Sequence, residues 1–274
     1  MDTHDGLRKI GRYAFWYCES LMRMNLKSTV EIEKFAFYGC ENLKLVEFGD
    51  RLETIGNAAF RECTSLKHLK LPSIITIGRC AFLDCTRLID IELSEKLETI
   101  GAGAFVGCER LQHIAVPLKR DLFEFSDFFQ KYRQFDGCEQ LTTVNLVGGT
   151  HKTVASLHVD SWRTEMIAEI NRINHVLPGK SVKRQTGAIR QWMESVIDKF
   201  EHYKSEHCRY VKEGTSLLEL ALWKAKLGEK EEYAAEEGRR KKAKVDAASA
   251  RVQKRITSGA DVVVKNVLPF LKLN

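Results

Sequence analysis

Cysteines are the reactive side chains that recur most regularly along this chain of 274 residues. A regular set of thiols could pair as disulfides, hold a metal or act as nucleophiles. No two of them form a C-x-x-C motif, and the intervals are too long for a zinc knuckle. The regular set is spaced 22, 23, 22, 23 and 30 residues apart and consists of Cys18, Cys40, Cys63, Cys85, Cys108 and Cys138.

These six cysteines occupy one position of a longer repeat, so we expect them to form a single buried column. In that setting a thiol acts as a small hydrophobic group, and we expect free thiols. Disulfides between adjacent turns are the alternative, because neighbouring turns lie about 5 Å apart. Cys80 and Cys208 lie outside the column, and the sequence leaves their redox state open.

Two other groups of residues have spacings that suggest chemistry. His202 and Glu206 lie four residues apart on a predicted helix, but a metal would need further ligands from elsewhere, and a polar helix face is the favoured interpretation. Gly101, Gly103 and Gly107 do not have the spacing of a nucleotide-binding glycine loop. No G-x-S-x-G, Walker or H-E-x-x-H motif occurs. We therefore expect no enzyme, no cofactor and no metal site.

The elements that position the cysteines are six copies of the pattern I-G-x-x-A-F-x-x-C-x-x-L-x-x-I-x-L. In the third copy apolar and polar residues alternate from Leu66 to Leu71, which predicts a short strand with one buried face. A second extended piece ends at Ile55, and Gly56 follows at a corner where glycine would accept unusual backbone angles. A repeat of this period with a leucine-rich end is typical of a leucine-rich repeat solenoid.

No single copy can bury its own phenylalanine and leucines, so the copies must stack on one another. The copies differ in quality, because Glu33 replaces the corner glycine of the second copy. The sixth copy keeps only Phe135, Cys138, Leu141, Val144 and Leu146. Stacking predicts a second column, formed by Phe15, Phe37, Phe60, Phe82, Phe105 and Phe135.

The six copies resemble the BspA-type leucine-rich repeats over roughly residues 7–147. Members of that family are mostly inferred to be interaction or adhesion modules. The resemblance therefore implies a binding scaffold and supplies no catalytic residues. The fold class that we predict is α+β, with a repeat solenoid over 1–147 followed by an α-helical C-terminal module over 160–274.

The outward positions of the long repeat strands are the candidate binding residues. They are polar and mixed in sign, and six strands at about 4.8 Å would give a face about 25–30 Å long. We expect this face to bind a protein or peptide of unknown identity, in an interface near 800 Å² per partner. The candidates are Arg23, Asn25, Glu47, His68, Lys70, Asp90, Glu92, His113, Thr143 and Asn145.

An insertion at 118–134 adds about seven residues between the fifth and sixth copies. It is rich in aromatic side chains, and large rings dominate interface hot spots. A protruding aromatic loop is one interpretation, and a short helix that folds over the edge of the solenoid is the favoured one. The aromatic residues are Phe123, Phe125, Phe128, Phe129 and Tyr132.

After residue 147 the spacing of apolar residues becomes helical. One helix is predicted to begin near Asp160 and to stop at Pro178-Gly179. A longer helix follows, and Ser216 with Glu219 predicts a capping box before a third helix at Leu217–Leu227. This module has enough apolar surface to pack on the last repeat, where we expect it to act as the C-terminal cap. It also resembles the tail of uncharacterised proteins that carry these repeats, which implies no activity.

A basic segment at 239–255 offers an alternative function as a nucleic-acid-associated or nuclear adaptor. The favoured interpretation is a solvated helix, because alanines are interleaved with the charges and acidic residues lie just upstream. The apolar stretch Val262–Leu273 follows, and we expect it to dock on the helical module. The basic residues are Arg239, Arg240, Lys241, Lys242, Lys244, Arg251, Lys254 and Arg255.

The sequence has neither an apolar run long enough for a spanning helix nor an apolar N-terminal leader. We expect a cytoplasmic protein, with a nuclear location as the alternative. Leu7 and Ile10 already occupy core positions of a repeat, so we expect the chain to be a shortened form of a longer repeat protein. The sequence does not indicate the oligomeric state.

Overall fold

The computed structural model describes residues 7–124, 133–148, 154–157, 159–179 and 184–240, without the side chains of 229–240. Two series of parallel strands alternate along its first half, as a stacked repeat requires. Each four-residue strand begins five residues after a column cysteine, and each two-residue strand begins nine residues before one. The strands are β1 (Lys9–Ile10), β2 (Arg23–Leu26), β3 (Glu31–Ile32), β4 (Leu45–Phe48), β5 (Thr54–Ile55), β6 (His68–Leu71), β7 (Thr76–Ile77), β8 (Asp90–Leu93), β9 (Thr99–Ile100), β10 (His113–Val116) and β11 (Thr143–Leu146).

The short strands form one parallel sheet in the order β1-β3-β5-β7-β9, with an isoleucine of each strand beside that of the next. Phe123 continues this sheet as a bridge partner of Ile100. The Ile100 N–H donates to the Leu122 carbonyl at 2.7 Å, and the Glu124 N–H donates back to Ile100 at 2.9 Å. The aromatic insertion therefore starts after this strand position. Phe123 is buried against Phe135 in an extended bridge, so for that residue both the favoured short helix and the alternative protruding loop are wrong.

The long strands form two sheets, β2-β4 and β6-β8-β10-β11, and not the single six-stranded face that the repeat predicted. Phe48 occupies the inward position at the end of β4. Its ring meets Phe60 edge-on at 5.9 Å, whereas every other long strand ends in a smaller aliphatic residue. This bulkier ring distinguishes the inward side chains of β4 from those of the other long strands.

The predicted phenylalanine column is confirmed, and it forms the centre of the solenoid. Neighbouring rings are nearly parallel, with centroids 4.9–5.8 Å apart from Phe15 to Phe135. Phe15 is half-buried, and the other five are fully buried. Buried aromatic rings contribute large apolar areas, so this contact helps each turn to stabilise the next.

The cysteine column lies beside the phenylalanines, and its thiols are free as predicted. Cys18 is half-exposed, while the other five are buried. Each buried thiol donates to the carbonyl oxygen of the phenylalanine one turn earlier, as Cys63 does to Phe37 at 3.2 Å. That carbonyl also accepts the backbone N–H of its own turn's cysteine, Cys40 in this example. Cysteine suits this position because its side chain is small and apolar and its thiol can donate a hydrogen bond to that carbonyl oxygen.

The corner glycines are needed for close approach rather than for unusual backbone angles, which corrects our expectation for Gly56. A Cβ at Gly56 would lie 2.5 Å from the backbone nitrogen of Lys34, in the preceding turn. The left-handed conformation occurs instead two residues later, at Ala58, and again at Glu62. Both positions recur through the array and are filled by tyrosine, phenylalanine, alanine, cysteine, glutamate, aspartate or glycine.

The helical region contains α1 (Asp160–Val176), a 3-10 turn (Leu177–Gly179) and α2 (Gln185–Arg240). The fold class of solenoid plus helical module is thereby confirmed. The predicted helix start at Ser216 is wrong, because α2 runs through it unbroken. In this stretch Thr215 donates its hydroxyl to the Lys212 carbonyl within the helix, and Arg209 pairs with Glu213 one turn ahead.

Two backbone N–H groups of the last repeat have no further turn to pair with. Side chains of the helical region accept their hydrogen bonds instead. The N–H of Val144, on the edge strand β11, donates to the Asn174 side chain at 2.8 Å. The N–H of Phe135 donates to the Thr186 hydroxyl at 3.1 Å. A third hydrogen bond links the two helices: the Trp192 indole N–H in α2 donates to the Glu169 carbonyl in α1 at 2.9 Å.

The chain divides into two units, Met1–Phe200 and Glu201–Asn274. The first contains the repeats, α1 and the beginning of α2, with Ile189, Trp192, Met193 and Val196 buried. The second contains the rest of α2, whose apolar side chains are largely exposed. None of the helices described is long and apolar enough to cross a membrane.

Candidate interaction face

The outward side chains of the long strands form the candidate site. Inward residues such as Met24 and Ile91 are buried, while outward residues are exposed or half-exposed, as the period of a strand dictates. The structure therefore places all ten candidates on the outer side of β2, β4, β6, β8, β10 and β11. Their role in binding stays a prediction.

The strand register aligns these residues in rows across the turns. One row runs from His68 through Asp90 and His113 to Thr143. A second row, two residues further along each strand, contains Lys70, Glu92 and Asn145. On the two-stranded sheet the corresponding neighbours are Arg23 beside Leu45 and Asn25 beside Glu47. In these rows Lys70 thus lies beside the carboxylate of Glu92 in the next turn.

Most of the charged groups on the face pair with each other. Lys27 lies 2.7 Å from Glu47, Lys70 lies 3.2 Å from Glu92, and His68 contacts Asp90. The hydrogen bond from Lys27 holds the pKa of Glu47 below its usual value. Exposed pairs of this kind add little to stability, because solvent screens them. They leave a face with alternating and nearly balanced charge.

An apolar spot on the first two turns was not among the predicted site residues. Met22 and Leu45 are 56% and 42% exposed, and the Leu45 N–H donates to the Met22 carbonyl at 3.4 Å. Leu45 is visible in the sequence as an outward position of β4. Met22 precedes its strand, so strand periodicity alone gives no signal for it. Arg23 lies next to it and adds a cation beside the apolar surface.

The buried thiols are not arranged for chemistry. Burial raises the pKa of Cys40 to about 11 and that of Cys138 to about 12, and it raises the pKa of Cys63, Cys85 and Cys108 in the same direction. A protonated, buried thiol is neither a nucleophile nor a metal ligand. Across the described part of the chain, no group of three or more histidine, cysteine or acidic side chains could hold a metal ion.

Two predicted features fall largely outside the described residues. Of the aromatic insertion, Phe125, Phe128, Phe129 and Tyr132 lie there. So do the basic residues from Lys241 onward, and the side chains of Arg239 and Arg240 are not described although they end α2. The aromatic loop and the basic adaptor therefore stay predictions.

A comparison with known families shows what the repeats are similar to. Residues 8–133 match the family model described as "BspA type Leucine rich repeat region", in six copies. The match contains the first five residues of the phenylalanine and cysteine columns, and Phe135 and Cys138 lie just beyond it. No curated protein gives a match to the chain.

Solved structures of bacterial leucine-rich repeat proteins are similar to part of the chain. A leucine-rich repeat protein of T. pallidum is 33% identical over 52% of this chain and 64% of its own, with a TM-score of 0.45. One from Bacteroides ovatus is 23% identical over 54% of this chain and 42% of its own, with a TM-score of 0.40. The pneumococcal vaccine antigen PcpA is 20% identical over 56% of this chain and 37% of its own, with a TM-score of 0.41. The chain thus spans less than two thirds of each of these proteins.

Proposed function

We propose that this chain, whose residues 8–133 form a BspA-type leucine-rich repeat region, is a non-catalytic scaffold that binds a protein or peptide on the outer face of its long strands. Leucine-rich repeat proteins are in general protein-interaction scaffolds. The observation that carries the proposal is the rows of outward side chains, which the register aligns across two turns in one sheet and across four turns in the other.

The apolar spot formed by Met22 and Leu45 is the proposed anchor of the interface. Interfaces gain most of their affinity from a few buried apolar or aromatic groups surrounded by polar side chains that exclude water. Arg23 and the paired charges of Lys70 and Glu92 would supply that surround. Because the charges on the face nearly balance, the expected partner surface is apolar at its centre and mixed in charge at its edge.

The test begins with capture of proteins from a lysate by the full chain, followed by affinity measurements on one identified protein. The first variant carries Met22→Ser and Leu45→Ser. The second carries His68→Ala, Lys70→Ala, Asp90→Ala and Glu92→Ala. The matched control carries Lys9→Ala and Glu31→Ala, which removes a similarly exposed ion pair of 3.0 Å from the short strands. We expect at least a tenfold loss of affinity for the first variant, a smaller loss for the second and none for the control.

Equal affinity of the wild type and both face variants would refute the proposal. A loss in the control as large as that in the face variants would refute it as well, because the effect would then not be specific to the face. Urea unfolding of each variant shows whether the substituted chains remain folded.

A further inference from the structure

We infer that the second half of α2 pairs in antiparallel orientation with the same helix of a second copy of this chain. The contact surface is an apolar stripe over residues 210–227, within the unit Glu201–Asn274. The inference is independent of the binding face on the repeats.

The stripe is a row of exposed apolar side chains along one side of the helix. Its members follow one another at intervals of seven, three, three and four residues, so they lie within an arc of about 140° around the helix axis. Leu222 is also exposed, but it lies on nearly the opposite side of the helix. An exposed stripe of this kind indicates a surface that packs against a partner. Its members are Tyr210, Leu217, Leu220, Trp223 and Leu227, which are 38%, 58%, 56%, 66% and 42% exposed.

The length of the helix and the spacing of the stripe favour another helix as that partner. Helix α2 contains 56 residues, and a periodic helix longer than about 25 residues is typical of a coiled coil. Tyr210 and Leu217 occupy the first position of a heptad. Leu220 and Leu227 occupy the fourth, and these two positions form the core of a helix pair.

Two charged residues within the stripe indicate which helix fits against it. Glu213 and Lys224 occupy the remaining core positions of the same heptads, and both are exposed. In an antiparallel pair Leu217 can lie level with Leu220 of the second copy. The residue four before Leu217 then lies level with the residue four after Leu220, so Glu213 faces Lys224 of the second copy. In a parallel pair each charge would face its own copy, and the like charges would repel.

The same register pairs the apolar residues with one another. Tyr210 lies level with Leu227 of the second copy, and Leu217 lies level with Leu220. Each contact occurs twice, because a two-fold axis makes the interface self-complementary. One helix therefore supplies both halves of the apolar core.

Neighbouring registers fit less well. A shift by one heptad in one direction would set Glu213 against Leu217, and a shift in the other direction would set Lys224 against Leu220. Either shift would bury a charge against an aliphatic side chain, which is unfavourable. The two charges thus select one register.

Small residues beside the stripe leave room for its largest member. In an antiparallel pair Trp223 lies on the same flank as Ser216 of the second copy, so the indole meets a small side chain. On the other flank Gly214 lies beside Ala221 of the second copy, and both residues allow the two backbones to approach closely. A glycine inside a helix is unfavourable by itself, so close packing supplies a physical reason for Gly214.

Sedimentation velocity of the full chain over about 1 to 200 μM tests the inference, because the dimer fraction must rise with concentration. We expect Leu220→Ser to raise the dissociation constant of the dimer at least about tenfold, because a buried leucine contributes strongly to such a core. Leu222→Ser is the matched control. Both leucines are 56% exposed on the same helix, but Leu222 lies outside the stripe, so its substitution should leave the constant unchanged. Unchanged hydrogen exchange in residues 7–124 shows that each variant keeps its folded repeats.

A charge swap and a cross-link test the register and the orientation. Glu213→Lys should weaken the dimer, because two cations then face each other, and Glu213→Lys/Lys224→Glu should restore it. In a Cys208→Ser background, chains with Glu213→Cys should form disulfides with chains that carry Lys224→Cys, and not with their own kind.

A chain that stays monomeric over the whole concentration range would overturn the inference and assign the stripe to a different occupant. Equal effects of Leu220→Ser and Leu222→Ser would overturn it as well, because the dimer would then form through another surface. Disulfides between two Glu213→Cys chains, in place of the mixed pair, would show parallel pairing and would also contradict it.

Discussion

The hydroxyl oxygen of Thr186 accepts the backbone N–H of Phe135 at 3.1 Å, across 51 residues of sequence. In earlier turns the equivalent phenylalanine N–H donates to a backbone carbonyl of the next turn, as Phe60 does to Ala81 at 2.8 Å. Thr186 therefore takes the place of a seventh turn. The helical region ends the repeat by completing its hydrogen-bond ladder as well as by covering its apolar edge.

Replacing Thr186 with valine should destabilise the protein by about 1–3 kcal/mol, because the isosteric side chain leaves the buried Phe135 N–H without an acceptor. Thr186→Ser retains the hydroxyl and should recover most of that loss. Urea unfolding, followed by the far-ultraviolet signal, measures the free energy of unfolding for each. Equal stability of the valine and serine variants would show that the hydrogen bond contributes nothing.

Adding a methyl group at a corner glycine should depend strongly on which turn receives it. Gly101→Ala would place a Cβ 2.5 Å from the backbone nitrogen of Arg79, so we expect a loss of more than about 2 kcal/mol. Gly11→Ala is the control, because a Cβ there meets nothing within 4 Å, and it should be neutral or slightly stabilising. The midpoint of thermal unfolding distinguishes the two, and similar shifts for both variants would contradict the close-approach argument.

The buried thiols should make the protein less stable as the pH rises. Burial raises the pKa of Cys40 to about 11 and that of Cys138 to about 12, whereas an unfolded thiol ionises near about 8.5. Between these values the unfolded state loses protons that the native state keeps, so each such thiol lowers the free energy of unfolding by about 1.4 kcal/mol per pH unit. Urea unfolding from pH 7 to 9.5 measures the slope. Cys138→Ala should reduce the slope by the contribution of one thiol, and an unchanged slope would refute this assignment.

The same burial predicts which thiols react with an aromatic disulfide reagent in the native protein. Cys208 is exposed and should react first, whereas the five buried column thiols should react only after unfolding. Mass spectrometry of the labelled peptides identifies the sites. Rapid labelling of Cys85 in the folded protein would show that the column opens locally.

The ion pair between Arg79 and Glu124 should contribute to stability at neutral pH and lose that contribution in acid. The two groups lie 2.6 Å apart, and the hydrogen bond from Arg79 holds the pKa of Glu124 below its usual value. Because the folded pKa is lowered, the contribution is present above the unfolded pKa and disappears as the pH falls through the folded one. Both side chains are partly exposed, so we expect only about 0.5–1 kcal/mol.

The variant Arg79→Gln should therefore be less stable than the wild type at pH 7 and equally stable near pH 3. Parallel stability curves for the two proteins over this range would contradict the assignment. Lys70→Gln is a control of the same chemistry, because Lys70 pairs with Glu92 on the open strand face at 3.2 Å. Its effect should be the smaller of the two.

The periodic part of the structure was predictable because one residue type marks each position. Phenylalanine and cysteine recur at every turn, and the strands follow at constant distances from them. The left-handed positions were not predictable, because Tyr13, Ala58 and Cys80 share no property that signals a positive φ. The break between β4 and β6 was not predictable either, because β4 has the same alternation of outward and inward residues as the other long strands.

In the candidate site, the alternation along the strands predicted which residues face outward, but not which of them meet. Pairing between His68 and Asp90 depends on the register between their strands. Sequence spacing predicts this register only when successive turns have similar lengths. Met22 was missed because it precedes its strand. In the helical region a local capping signal at Ser216 was outweighed by the continuity of α2, since no proline interrupts it.

The stacked phenylalanines give neighbouring turns the same ring-to-ring contact at each junction. A whole copy of the repeat can therefore be duplicated or deleted in a gene without creating a kind of contact that the protein does not already contain. The closing contacts of Asn174 and Thr186 require only that some turn be last. Array length, and with it the size of the exposed strand face, is thus open to change by a single recombination event, whereas a change in the shape of one turn would require compensating substitutions in its neighbours.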